Sequence, residues 1–157
     1  MPAVWPALAY GAWSATCDTL HAHTQVLGKF AASLAPAEPQ LQHAALRLTA
    51  RGWETPPLPA PDGSGALVVV LDLRVHEALV EHSDGRSRRV ALTPDRPVGE
   101  VTREVLESVR QLGGSVEIDM KPQEVWWSQP LDEDAQHASY DQDAVAAPAP
   151  ASRSKPR

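Results

Sequence analysis

Along the chain, apolar positions repeat with a helical period in two stretches and with a strand-like pattern in several others. In the first stretch Trp13, Cys17, Leu20, Thr24, Leu27, Ala31 and Leu34 follow one another at three- and four-residue steps, and Val26 and Phe30 widen the stripe. This spacing predicts a helix over 14–34, with Ser14 as N-cap and Pro36 as the stop. Its other face carries Asp18, His21, Gln25 and Lys29, spaced so that each neighbours the next. Val98, Val101, Val105, Val109 and Leu112 mark a second helix over 98–112, closed by Gly113-Gly114. Between the helices, 42–50 alternates as a half-buried strand and 67–73 is a continuous apolar run. The segments 78–82 and 87–92 flank Ser83-Asp84-Gly85-Arg86, whose Asp-Gly suits a hairpin turn. Val116, Ile118 and Met120 predict a last strand over 115–120, while 54–65, rich in Pro and Gly, predicts only a loop.

Short connections between consecutive strands favour an α+β fold. The expected architecture is an antiparallel meander of about four strands plus one further strand, with two amphipathic helices on one face. Residues 1–122 form the predicted domain, 123–143 an acidic extension, and 144–157 a disordered basic Pro/Ala/Ser tail. In the first residues Trp5, Leu8 and Tyr10 are available to lie along the domain, and Trp126-Trp127 are expected to pin the acidic extension. The central strand is apolar in both directions: Leu67, Val69, Leu71 and Leu73 point one way, Val68 and Val70 the other. A strand covered on one side only alternates more cleanly, so an uncovered strip around Val68 and Val70 is expected, open to self-association or a protein partner.

Composition narrows the classes. A single cysteine, Cys17, excludes an intrachain disulfide, and its place on the apolar stripe predicts a buried side chain. The net charge is −6, and residues 124–143 hold six acids and no bases, which argues against a nucleic-acid surface. No apolar run reaches the ~20 residues of a membrane helix, and no secretion signal opens the chain, so neither membrane nor export is expected and the cytoplasm is the default.

Several phrases resemble a bacterial family of uncharacterised proteins, a domain of unknown function. They are Trp5-Pro6-Ala7-Leu8, the segment Thr19 to Lys29 (TLHAHTQVLGK), Thr49-Ala50-Arg51-Gly52, Ser83-Asp84-Gly85-Arg86, Pro130-Leu131-Asp132-Glu133-Asp134 and His137-Ala138-Ser139-Tyr140-Asp141. The resemblance spans residues 5 to about 145 and brings no known activity. His23 stands where the family tends to have an aromatic residue. The resemblance also implies a further region beyond Val145, so the chain is expected to be a truncated member.

The polar row Asp18, His21, Gln25 and Lys29 is a candidate site, since an acid within a turn of an imidazole orients it and raises its basicity. The competing reading is a solvated helix face, or a network bonding the loop around Arg51 and Gly52. His21 and His23 sit about 200° apart on a helix and cannot share one ion; no other His or carboxylate spacing matches a metal motif, and neither metal nor cofactor is expected. Asp132, Glu133, Asp134, His137 and Tyr140 could do acid–base work or bind a cation, yet no predicted element holds them, so a solvated extension is the expectation. Arg86, Arg88 and Arg89 suit the guarding of an edge strand. The function expected is a soluble binding or interaction module. The alternative is an enzyme drawing on Asp18, His21, Gln25 and Lys29 with Arg51 or His137. A polar pocket gathering Asp18, His21 and a second cluster would favour the enzyme; a large exposed apolar patch would favour the module.

Overall fold

The computed structural model describes residues 10–36, 45–123, 125 and 127–146. Trp5, Leu8, Trp126, the first residues of the expected 42–50 strand and the tail from 147 lie outside the described residues. The architecture is α+β. Helix α1 (Tyr10–Leu34) is followed by β1 (Arg47–Leu48), β2 (Gly52–Glu54), β3 (Leu58–Pro59), β4 (Ala66–Asp72), β5 (Glu77–His82) and β6 (Ser87–Ala91). Then come α2 (Val98–Gly113), a single 3₁₀ turn (Leu131–Glu133) and the short α3 (Gln142–Ala146). The sheet runs β1-β2-β4-β5-β6, antiparallel throughout, and β3 pairs with the start of β4. Both long helices contact the sheet, and their apolar sides close one core with Leu67, Val69, Leu71, Val80 and Val90.

The central strand and hairpin lie within a residue of where the pattern puts them. The Pro- and Gly-rich stretch does not stay a loop, because β4 offers both sides of its backbone. Gly52–Glu54 pairs with 70–72, Leu58–Pro59 pairs with 66–67, and Thr55 bridges between them: its N–H donates to Val69 O at 3.0 Å and its hydroxyl accepts from Val69 N–H at 3.1 Å. The first strand is shorter than expected and not half-buried: only Arg47 and Leu48 pair, and Leu48 is 72% exposed at the sheet edge. Residues 115–120 alternate in burial, with Val116 and Met120 inside, but join no strand. Met120 O accepts from Leu131 N–H at 2.7 Å, and the Gln25 amide clamps Gln123 at both its N–H and C=O, so this backbone is satisfied away from the sheet.

Helix α1 begins at Tyr10, which places Ser14 inside it rather than at its cap. Its buried side holds Thr16, Thr19, Ala22, His23, Val26, Leu27, Phe30 and Ala31. Cys17, Leu20 and Thr24, expected on the apolar stripe, are only half-buried, so the first half of the helix is rotated from its predicted register. Further along the prediction holds: Leu27 is 1% exposed. Leu27→Ala should cost about 2–5 kcal/mol in urea unfolding, the range for deleting a buried leucine; a loss under about half a kcal/mol would contradict this packing.

The expected uncovered strip is not there. Val70 is 0% exposed and Val68 half-buried. On this face β2 presents Glu54 opposite Val70, and β5 presents Glu81 opposite Val68. Arg51 bonds Glu54 at 2.8 Å and Glu81 at 3.2 Å, and because those two flank β4 the guanidinium reaches across it. Arg89–Glu77 and Arg74–Asp72 continue the belt. Long charged side chains thus cover the second face with their stems while their heads stay wet. Among the described residues, the exposed large apolar side chains are Leu48 and Val75.

Candidate functional site

The segment 127–141, far from being a solvated extension, is pressed into the domain. Trp127, Leu131, Asp134, His137 and Tyr140 are all buried, the last four at three-residue steps. Two contacts hold it. Helix α2 opens with Pro97 and no side-chain cap; its first N–H groups are satisfied by this segment, Val98 N–H donating to His137 O at 2.9 Å and Gly99 N–H to Asp134 O at 2.8 Å. The approach is close enough that a Cβ on Gly99 would lie 2.9 Å from Asp134 N. On the other side, α1 clasps the backbone of 139–141 with two hydroxyls. Thr16 donates to Ser139 O at 2.6 Å and accepts from Asp141 N–H at 3.2 Å, while Thr19 accepts from Ser139 N–H at 3.3 Å. This clasp explains the rotation of α1, since the threonines must face inward to make it.

At the centre, Asp134 accepts three hydrogen bonds: from Gln136 N–H and His137 N–H at 2.9 Å each, and from His137 Nδ1 at 2.6 Å. With Nδ1 carrying the proton shared with Asp134, Nε2 of the neutral ring is left as the basic nitrogen. Trp127 packs on the His137 ring at 4.5 Å, and His21 meets the far side of Trp127 edge-on at 5.8 Å. His137 lines a hollow of about 200 Å³ with Asp18, Thr19, Gln136 and Ser139. A neighbouring hollow of about 370 Å³, sharing Ala15 and Ser139, is lined by Thr16, Asp95, Tyr140 and Asp141. Tyr140 is 1% exposed, and its hydroxyl bonds His76 Nδ1 at 2.8 Å. Burial, with the charge of Asp72 added, pushes the phenol pKa up, so it stays protonated.

The helix-borne row does not assemble. Asp18 reaches the groove, His21 packs on Trp127, Gln25 clamps Gln123, and Lys29 is half-buried further along. Arg51 belongs to the belt on the opposite sheet face, and among the described residues no network links it to this helix. The structure therefore brings together Asp18 and His137 and joins to them Asp134 and Tyr140 of the acidic segment, whose burial at three-residue steps the composition of 131–140 concealed. Cys17 is half-buried rather than buried. Among the described residues no group of three His, Cys, Asp or Glu is placed to hold a metal ion, and no helix is long and apolar enough to cross a membrane.

A second Ser, His, Asp set lies on the hairpin: Ser64 Oγ is 2.8 Å from His82 Nε2, and Asp84 Oδ1 is 3.1 Å from Nδ1. The Asp84 backbone N–H, however, donates to Nδ1 at 3.0 Å, so Nε2 carries the proton and donates to Ser64. That tautomer cannot accept a serine proton. The set ties loop to hairpin and is no nucleophile.

His23 adds a pH dependence. It is 2% exposed, and burial lowers its pKa from 6.5 to about 4, outweighing the attraction of Asp134. The folded state thus binds this proton less well than the unfolded one: stability is full above pH 6.5 and falls as the pH drops from 6.5 toward 4, on the order of 3 kcal/mol in all. His23→Phe should flatten that slope in urea titrations at pH 7, 6, 5 and 4.5. Glu54 and Asp72, held below the usual carboxylate range by Arg51 and Arg74, add a loss only at lower pH, as they protonate.

An α+β domain with a groove over a buried Asp–His pair is the class the geometry defines. The chain belongs to a family of unknown function, DUF5996, whose model matches residues 5–151. No curated protein and no solved structure matches it.

Proposed function

We propose that the domain binds a small polar molecule in the groove between α1 and residues 136–141, with the Asp134–His137 pair as its acid–base group. The observation that carries this reading is the His137 ring in the wall of the hollow, its Nδ1 fixed at 2.6 Å by a buried carboxylate. Such a pairing orients the imidazole, so the same group would serve binding or general-base catalysis. Phrases on which the family resemblance rests, Thr19–Lys29, Pro130–Asp134 and His137–Asp141, meet at this place, and no large apolar patch competes with it among the described residues. Ligand-observed NMR with a panel of amino acids, amines, sugars, nucleosides and carboxylic acids tests the reading. At least one class should bind, and His137→Gln should abolish that binding while Lys29→Gln leaves it intact. A panel with no binder, or a binder indifferent to His137→Gln, overturns it.

A second reading rests on the sheet edge, where Leu48 is 72% exposed. If β1 docks a protein or a second copy, sedimentation should show concentration-dependent association that Leu48→Lys removes.

A further inference from the structure

We infer that residues 127–141 form a strap that acid lifts from the domain, with His23 of α1 beneath it as the trigger. The arrangement is a buried base under a detachable cover. Thr16, Thr19 and His23 follow one another at three- and four-residue steps on the buried side of α1, so His23 lies one turn beyond the two threonines that clasp 139–141. It is 2% exposed. The charged groups that act on it are Asp134 and His137 of the strap, bonded to each other, and Arg96 from the turn before α2, which is paired with Glu100 and Glu104. Asp134 is the one anion acting on the ring, and it already accepts from Gln136 N–H, His137 N–H and His137 Nδ1. Burial therefore outweighs its attraction, and the imidazole takes a proton only near pH 4 while the strap is closed.

Water can reach this ring from two sides, and they differ in cost. On the inner side α1 is held by Val26, Leu27, Phe30 and Ala31 in the common core with β4 and α2, and exposing those side chains takes the domain apart. On the outer side the strap joins no strand. It is held by hydrogen bonds to its backbone from Thr16, Thr19, Val98, Gly99 and Arg103, by the bond of Tyr140 to His76, and by a few buried side chains. A unit of this kind opens at less than the global unfolding free energy. Once it is open, His23 returns to its ordinary pKa of 6.5, so the open form binds the proton more tightly than the closed one and gains as the pH falls. Release bares the first N–H groups of α2 and removes the wall that 136–141 gives both hollows, so the groove is dismantled while the sheet stands.

Amide hydrogen exchange of the full chain, read by mass spectrometry at pH 7 and pH 5 and corrected for the intrinsic rate, tests this. Two results are expected. At both pH values the amides of 98–101 and 131–141 should be less protected than those of 66–82 by about tenfold or more, because the strap opens without the sheet. Between pH 7 and pH 5 the strap's protection should fall about 20-fold, the ratio for one proton taken up on opening by a group that goes from about 4 to 6.5. His23→Phe keeps a ring in place but takes no proton, and should remove that fall; His23→Gln serves the same purpose if the phenyl ring does not fit. The inference is overturned if strap and sheet share one protection factor, since the segment then leaves only when the whole domain unfolds. It is overturned equally if the strap's protection is the same at both pH values, or if the fall persists when His23 is replaced.

Discussion

Gly52→Ala should destabilise the domain by about 3–5 kcal/mol, enough to erase most of the margin of an ordinary domain. Gly52 opens β2 with φ +141, a region open in practice to glycine only, and a Cβ there would lie 2.3 Å from Leu71 O. That oxygen belongs to the central strand, so neither partner can step aside without breaking the pairing of β2 with β4. Gly28→Ala is the matched control. It lies inside α1 with nothing within 4 Å of the added methyl, and should stabilise by about 0.5–1 kcal/mol. Urea midpoints for the two variants should therefore move in opposite directions; equal shifts would refute the geometry at Gly52.

Asp134→Ala is the second large effect, expected at about 3–5 kcal/mol, the cost of breaking a buried, hydrogen-bonded charged group from its partners. Two backbone N–H groups and the His137 ring lose their acceptor together. Asp134→Asn separates folding from chemistry. Its amide oxygen still accepts from the backbone, so the stability loss should be smaller. Its NH₂, turned to His137, demands the other tautomer and places the ring proton on Nε2. Ligand binding through Nε2 should vanish in a chain that still folds, and nitrogen-15 chemical shifts of the His137 ring would report the exchanged tautomer. A fall in the melting temperature under about 2 °C for Asp134→Ala would mean the carboxylate is hydrated and the centre not truly closed.

The parts of the fold that the sequence made legible are those governed by a single rhythm. Leu67 to Leu73, the Asp84-Gly85 hairpin and the valine ladder of α2 each obey one period, and each folds within a residue or so of expectation. The failures share a cause: polar side chains buried because a distant segment satisfies them. Thr16, Thr19 and His23 look like an outward face until 134–141 packs against them, and the composition of that segment conceals its core positions among acids. The cover over Val70 was equally invisible, since it takes Arg51, Glu54 and Glu81 from three separate places in the chain. In the candidate site, individual residues such as Asp18 and His137 could be nominated, but their meeting depends on long-range packing that no local pattern encodes.

The threonine clasp joins residues 123 and 125 positions apart in the chain, and this has a kinetic consequence. Residues 139–141 must leave the ribosome before α1 can finish folding, because their backbone satisfies the hydroxyls of Thr16 and Thr19. Until then the helix carries unmatched hydroxyls and a half-closed core. Loop closure on this scale is slow relative to the hairpin of β5 and β6, so the final, rate-limiting event should be the docking of 134–141 between the two helices. The groove would be completed in that same step, so the proposed binding site and the finished tertiary structure would arise at one moment.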